Sequence, residues 1–284
     1  MTLLVHHVRP AMATLFEVVL IGDDEEHLAA VAEAALDEIA RLERLLSRFD
    51  PRSEVSRINR EAIHGEVLID REVFELLERC AEAMTRTDCY FDITVPKDCE
   101  FKISAMSDNQ KRTIRFFDTD FSLDFGALGK GYALDRAAEI VRSFGVDRAL
   151  LHGGTSSILA LGNGPNEKPW PIGIRNPTAA DDAVEIAQIC LIDRGYSCSA
   201  VFSADQTVSD IVDPHTGVPL TEQAACVVIA ATALNAEILS TALLTMGMAQ
   251  ARAYTEKVTP GVSVGWIAGS SAPSIEWFGA TPEN

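Results

Sequence analysis

LDFGALGKGYALD, residues 123–135, sets three glycines and a lysine between a short apolar run and a segment with helical spacing. Gly126, Gly129 and Gly131 are spaced GxxGxG, so the dinucleotide fingerprint GxGxxG is not met. Asp124 and Gly131 stand where a P-loop needs glycine and a Ser or Thr. What remains is physical. Glycine lets backbone approach a ligand, a helix N-terminus offers unbonded N–H groups, and Lys130 adds a point charge. Two readings stay open on this stretch alone: a phosphate cradle, or a tight strand-to-helix turn with a solvated lysine.

A second stretch bears on the choice. In ALNAEILSTALLTMG, residues 233–247, Glu237 and Thr241 are four apart and Ser240 is three from Glu237, so all three emerge on one face of an apolar helix. Carboxylate and hydroxyl oxygens are hard ligands suited to Mg2+, which takes few protein donors and completes its shell with water and phosphate. The competing reading is an acid beside hydroxyls that bond back to their own helix. Pairing with the lysine turn favours the metal.

The 284 residues carry 42 acidic and 24 basic side chains, a formal net charge of -18. Such a surface repels nucleic acid and anionic lipid, so a polyphosphate ligand needs a local lysine or divalent metal. At 47% hydrophobic and 23% charged residues, a sizeable core is expected. The six cysteines form no CxxC pair and read as reduced. The N-terminus lacks the pattern of a signal peptide, and no segment reaches membrane-spanning length without a charge. The expectation is a soluble cytoplasmic protein forming a single domain over 1–284.

Along the chain, ATLFEVVLIG reads as an opening strand. The next segment carries Leu28, Ala32, Ala35, Ile39, Leu42 and Leu46 at helical spacing. DPRSEVSRINR reads as a polar loop, and Val73, Leu76, Leu77, Cys80 and Met84 predict a second helix. Residues 97 to 120 are polar and irregular, with a possible strand around RTIRFF. The lysine turn then opens a third helix that Gly145 is placed to cap. RALLHGG, SSILALG, WPIGIRNP, EIAQICLI, GYSCSAVFS and AACVVIAA are short β-rich runs, and after one more helix, GVSVGWIAG and PSIEWFG close the chain. The expected class is α+β, a mixed, largely antiparallel sheet with packed helices.

Seven segments in order carry a family resemblance: PAMATLF, SRFDPRSEVSRINR, FDITV, LDFGALGKGYALD, WPIGIRNP, IVDPHTG and ALNAEILSTALLTMG. They correspond to the family patterns AMGT, SxxxxxSxIxxxN, FDxTV, DLGGIAKGYAVD, WxVGIRxP, IIDPRTG and MLADALATALFVLG. The chain thus resembles the ApbE family of flavin transferases, which use Mg2+ to move FMN from FAD onto a Ser or Thr of a target protein. The resemblance implies an ApbE, T-fold-like architecture, FAD as substrate and an acceptor protein as partner. It implies that Met12, Phe49, Tyr90, Phe91, Asp92, Asp124, Lys130, Ile211 and Ser240 line the FAD site. It also implies that the Ala127 carbonyl, Glu237 and Thr241 hold the metal.

Departures from the family pattern fall at informative places. Where it reads HxIDPxTG, this chain has SDIVDPHTG, with Asp210 at the position of the histidine suited to deprotonate the acceptor; a carboxylate is the weaker base. Glu237 stands where the pattern has Asp, adding a methylene. YSCSAVFS and FDITVPKD each lack a family glycine, and Thr155 and Ser156 stand where GGDI or GGNI is common. His215 faces solvent or packs, in this reading, rather than serving as the base. Three functions follow: flavin transfer to a protein hydroxyl, FAD hydrolysis to FMN and AMP, or flavin binding without turnover.

Overall fold

Apolar residues every third or fourth position make the long helix that organises one side of the molecule. The computed structural model describes residues 2–95, 111–117, 121–175, 185–201, 210–269 and 274–282. It opens with a hairpin, β1 (Leu3–Ala11) and β2 (Thr14–Gly22). Met12 (φ 49°) and Ala13 (φ 59°) make the turn between them, both left-handed as a two-residue type I′ turn requires. The sequence reading begins the sheet at β2. β1 is an edge strand whose polar His7 and Arg9 pair with Glu33 and Asp37, which hides its strand character.

α1 (Glu25–Leu46) starts on Asp24, whose carboxylate accepts the His27 N–H, and buries Leu28, Ala32, Ala35, Ile39, Leu42 and Leu46 as its spacing predicts. DPRSEVSRINR, expected as loop, instead contains α2 (Glu54–Glu61). Ser53 caps it by accepting the Ser56 N–H, and Arg57 bridges Glu54 and Glu61. Only Val55 and Ile58 are buried, too few apolar positions to display a helical period. β3 (Val67–Leu68), α3 (Arg71–Arg86), β4 (Thr94–Val95), β5 (Thr113–Ile114) and β6 (Ser122–Leu123) follow. The expected strand near RTIRFF is β5, which pairs with β3; most of the irregular stretch 97–120 lies outside the described residues.

α4 (Gly129–Ser143) begins inside the glycine-lysine stretch and ends at Phe144, with Gly145 at φ 77° closing it. β7 (Ala149–Gly153), β8 (Ser157–Leu161), β9 (Trp170–Arg175), β10 (Glu185–Leu191), β11 (Gly195–Ala200) and β12 (Ala224–Ala230) then match the predicted β-rich runs. α5 (Ala233–Met246) leads into α6 (Met248–Val258), then β13 (Ser263–Ala268) and β14 (Ile275–Gly279). α6 escapes the sequence reading because its buried side is only Ala251 and Thr255.

The large sheet has eight strands in the order β1-β2-β7-β8-β11-β12-β13-β14, and every pairing in it is antiparallel. Helices α1, α4 and α5 pack on one face. The β9–β10 hairpin covers part of the other through Trp170, Ile172 and Ile189 against Ile158 and Val227. α5 is apolar on nearly all sides because it lies between the sheet and α4. No helix among the described residues is long and apolar enough to cross a membrane.

The α4–α5 contact positions the site. A Cβ on Gly131 would lie 2.5 Å from the Ala233 carbonyl oxygen, so only glycine permits this approach. One turn on, the Asp135 carboxylate accepts the Ala233 and Leu234 N–H groups at 2.9 and 3.0 Å, capping α5 from α4. Burial pushes the Asp135 carboxyl up to about 6, so the native state holds this proton more tightly than the unfolded chain. Its stabilisation is complete below about pH 4 and lost as pH rises through about 6. Urea unfolding should therefore show wild-type stability falling by on the order of 2 kcal/mol across that window relative to Asp135→Asn. Parallel pH profiles would contradict the assignment.

Candidate active site

A cleft of about 370 Å3 opens where the C-terminal half of α5 meets the start of α4 and the end of β11. Glu237 sits at its base, 4% exposed. Lys130 Nζ lies 2.7 Å from Glu237 Oε1, the Gly131 N–H donates to Oε2, and the Ser157 hydroxyl donates to Oε1 at 3.2 Å. The two features singled out in the sequence thus meet: the lysine turn delivers a cation and a backbone donor to the one acid on α5. Thr241, one turn beyond Glu237, lines the same cleft.

A chain of hydroxyls runs along the β11 side. Ser199 Oγ is 2.8 Å from Ser240 Oγ and 3.2 Å from Thr241 Oγ1, and Ser197 Oγ is 3.0 Å from Ser240 Oγ. The remaining wall comes from loops. Asp124 accepts the Gly126 N–H at 2.9 Å and faces Arg48 at 3.4 Å, which holds the turn against the end of α1. Tyr90 donates its hydroxyl to Gln250 of α6 at 3.0 Å, and its ring tilts against His215 at 4.5 Å. Asp92 accepts the Thr94 N–H and hydroxyl at 2.8 and 2.9 Å. Asp213 organises the DPHTG turn by accepting from the His215 N–H and the Thr216 hydroxyl, and just before this turn the exposed Asp210 and half-buried Ile211 line the cleft.

Of the residues expected at the site, Tyr90, Asp92, Asp124, Ala127, Lys130, Asp210, Ile211, Glu237 and Thr241 line this cleft. Four do not. Ser240 is fully buried behind the cleft, bonded to Ser197, Ser199 and the Glu237 carbonyl; Phe91 is fully buried; Phe49 is 81% exposed under the Arg48 guanidinium; Met12 lies in the hairpin turn beside Gly129. Ser157, Ser197, Ser199 and Thr245 are cleft or Glu237 partners that sequence reasoning missed. The only signal was polarity at inward positions of otherwise apolar strands, as at Ser157 in SSILALG.

The donor set fits a hard divalent cation. One buried carboxylate, one hydroxyl a helical turn away and the Ala127 backbone share a cleft, and Mg2+ commonly uses one or two carboxylates with water and phosphate completing the shell. Among the described residues no group of three or more His, Cys, Asp or Glu gathers to make a multi-carboxylate site.

The profile of the ApbE family matches residues 12–266. The chain belongs to the ApbE family. The FAD:protein FMN transferase of Klebsiella pneumoniae (strain 342) is 26% identical over 278 residues, covering 85% of this chain and 78% of that protein. The FAD:protein FMN transferase of Salmonella typhimurium is 24% identical over 275 residues with the same coverage. Among solved structures, the ApbE protein of Thermotoga maritima superposes with a TM-score of 0.82 at 23% identity, over 97% of both chains. Apo Pseudomonas stutzeri flavinyl transferase ApbE gives 0.80 at 21%, over 98% of this chain and 95% of that one. The ApbE fold is therefore that of the whole described chain. In this chain the lysine turn and the α5 acid meet directly, Glu237 reaching both Lys130 and the Gly131 N–H.

Proposed function

We propose that this chain is a Mg2+-dependent FAD:protein FMN transferase, moving FMN from FAD to a Ser or Thr hydroxyl of an acceptor protein with release of AMP. The observation that carries the reading is the Lys130–Glu237 pair at the base of a cleft that also presents Thr241, Ala127 and Asp210. The named activities of the Klebsiella and Salmonella relatives support the substrate and the reaction class.

Glu237, Thr241 and the Ala127 carbonyl would hold the metal, which when bound supplies charge neutralisation on the pyrophosphate and Lewis acidity. Lys130 offers its ammonium to the non-bridging phosphoryl oxygens, whose charge grows during displacement. Asp210, on the exposed rim, takes the proton of the attacking hydroxyl. The new bond joins that oxygen to the FMN phosphorus, and the bond from this phosphorus to the bridging oxygen breaks, so AMP leaves with the electron pair. Tyr90 and His215 give the mouth an aromatic wall against which a flavin ring can lie.

Incubating the chain with FAD, Mg2+ and candidate acceptor proteins should yield an acceptor heavier by FMN, read by mass spectrometry, with stoichiometric AMP. Asp210→Asn should slow transfer by about 10²-fold and leave FAD affinity unchanged. FMN and AMP released without any acceptor would instead indicate FAD hydrolysis, and bound FAD with no turnover a binding protein.

A further inference from the structure

A second cleft, of about 490 Å3, lies on the opposite side of α5, between α3, the start of α5 and the end of α6. Its wall is formed by Leu234 and Ile238, whereas Glu237, Thr241 and Thr245 face the first cleft, so α5 separates the two. Whole-chain composition gives 24 basic to 42 acidic side chains. This cleft inverts the ratio: Arg79, Arg86 and Arg194 line it against Glu82 and Asp135. Asp135 is already committed to the Ala233 and Leu234 N–H groups.

The cleft carries guanidinium donors left largely to solvent. Among the described residues, Arg79 and Arg86 have neither an ion pair nor a hydrogen bond, although Glu82 lies between them on the same helix face. Tyr254 lines the same cleft, its hydroxyl closed off from solvent and without a hydrogen-bond partner among the described residues. Arg194 donates one Nη1 bond to the Gly261 carbonyl at 3.1 Å, which fixes its guanidinium at the far wall with donors to spare. Arg79 and Arg86, seven residues apart, sit on one face of α3 with their Cα atoms about 10 Å apart along the axis. Two guanidinium groups on one face of a helix, with a third on the far wall, favour a ligand of higher negative charge over a singly charged ion.

We propose that this cleft is a binding site for a small phosphate-bearing anion, held by Arg79, Arg86 and Arg194. The site is independent of the flavin reading and of any metal. The size lies within the range of small-molecule sites, and the excess of fixed donors selects acceptor-rich ligands.

Calorimetric titration of the full chain with inorganic pyrophosphate and with inorganic phosphate, at constant ionic strength in chloride and without divalent metal, tests it. Pyrophosphate should bind more tightly than phosphate. Arg79→Ala and Arg86→Ala should each weaken pyrophosphate by about tenfold or more, with thermal midpoints unchanged because both arginines are exposed. Lys130→Met should leave this binding intact. Absence of binding, or binding lost in Lys130→Met and retained in the arginine variants, would overturn the proposal, the second result placing the anion in the first cleft.

Discussion

Glu237→Gln is expected to lower flavin transfer by about 10³-fold while the protein stays folded. The substitution keeps shape and an acceptor for the Gly131 N–H, but removes the buried carboxylate that pairs with Lys130 at the base of the cleft. Two consequences add. The metal proposed for this cleft would lose the one carboxylate assigned to it, and the Lys130 ammonium loses its partner 2.7 Å away. Electrostatic groups fixed in a water-poor site are commonly worth about 10² to 10³ in rate apiece. Because Lys130 keeps access to solvent, the lost pair costs little stability, and the melting temperature should move by only about 2–4 °C. Glu237→Asp separates reach from charge: it restores the acid type of the family pattern but shortens the arm, so metal affinity should survive better than in Glu237→Gln. A Glu237→Gln variant with wild-type transfer would remove Glu237 from the chemistry.

Gly131→Ala is expected to destabilise the chain by about 3 kcal/mol and to abolish FAD binding. The added methyl would stand 2.5 Å from the Ala233 carbonyl oxygen and 2.9 Å from Glu237 Oε2, and neither is the end of a flexible chain free to swing away. Relief requires α4 and α5 to separate. That separation pulls the Asp135 carboxylate off the start of α5 and the Gly131 N–H off Glu237, so packing, cap and site fail together. Denaturant unfolding measures the first effect and flavin fluorescence the second. Wild-type stability with lost binding would mean that the clash is absorbed inside the cleft alone.

How much could be read ahead of the structure depended on how far each residue's meaning reached along the chain. α1 and α3 were legible because burial follows local apolar spacing, and β12 because all its residues are buried and small or branched. α2 and α6 were not, since two inward residues each leave no period to detect, and β1 was masked by polar side chains that pair across to α1. At the site, Lys130, Glu237 and Thr241 stood out as chemistry-bearing residues in apolar or glycine-rich surroundings. Ser157, Ser199 and Asp135 acquire roles only through contacts that bring together distant segments, such as the Gly131 to Glu237 bond spanning 106 residues. No local pattern encodes such a contact. The placement of Phe49 and Ser240 makes the same point in reverse: a family motif carries identity along the chain, whereas the local fold decides which side of a wall a side chain occupies.

Calorimetric titration with FAD, with and without Mg2+, comparing wild type with Lys130→Met, tests most directly whether a flavin pyrophosphate occupies the Lys130–Glu237 cleft. Wild type should bind one FAD per chain, more tightly with Mg2+ than without, and Lys130→Met should weaken that binding by about tenfold or more. FAD that fails to bind wild type, or that binds Lys130→Met equally well, would contradict the assignment of this cleft.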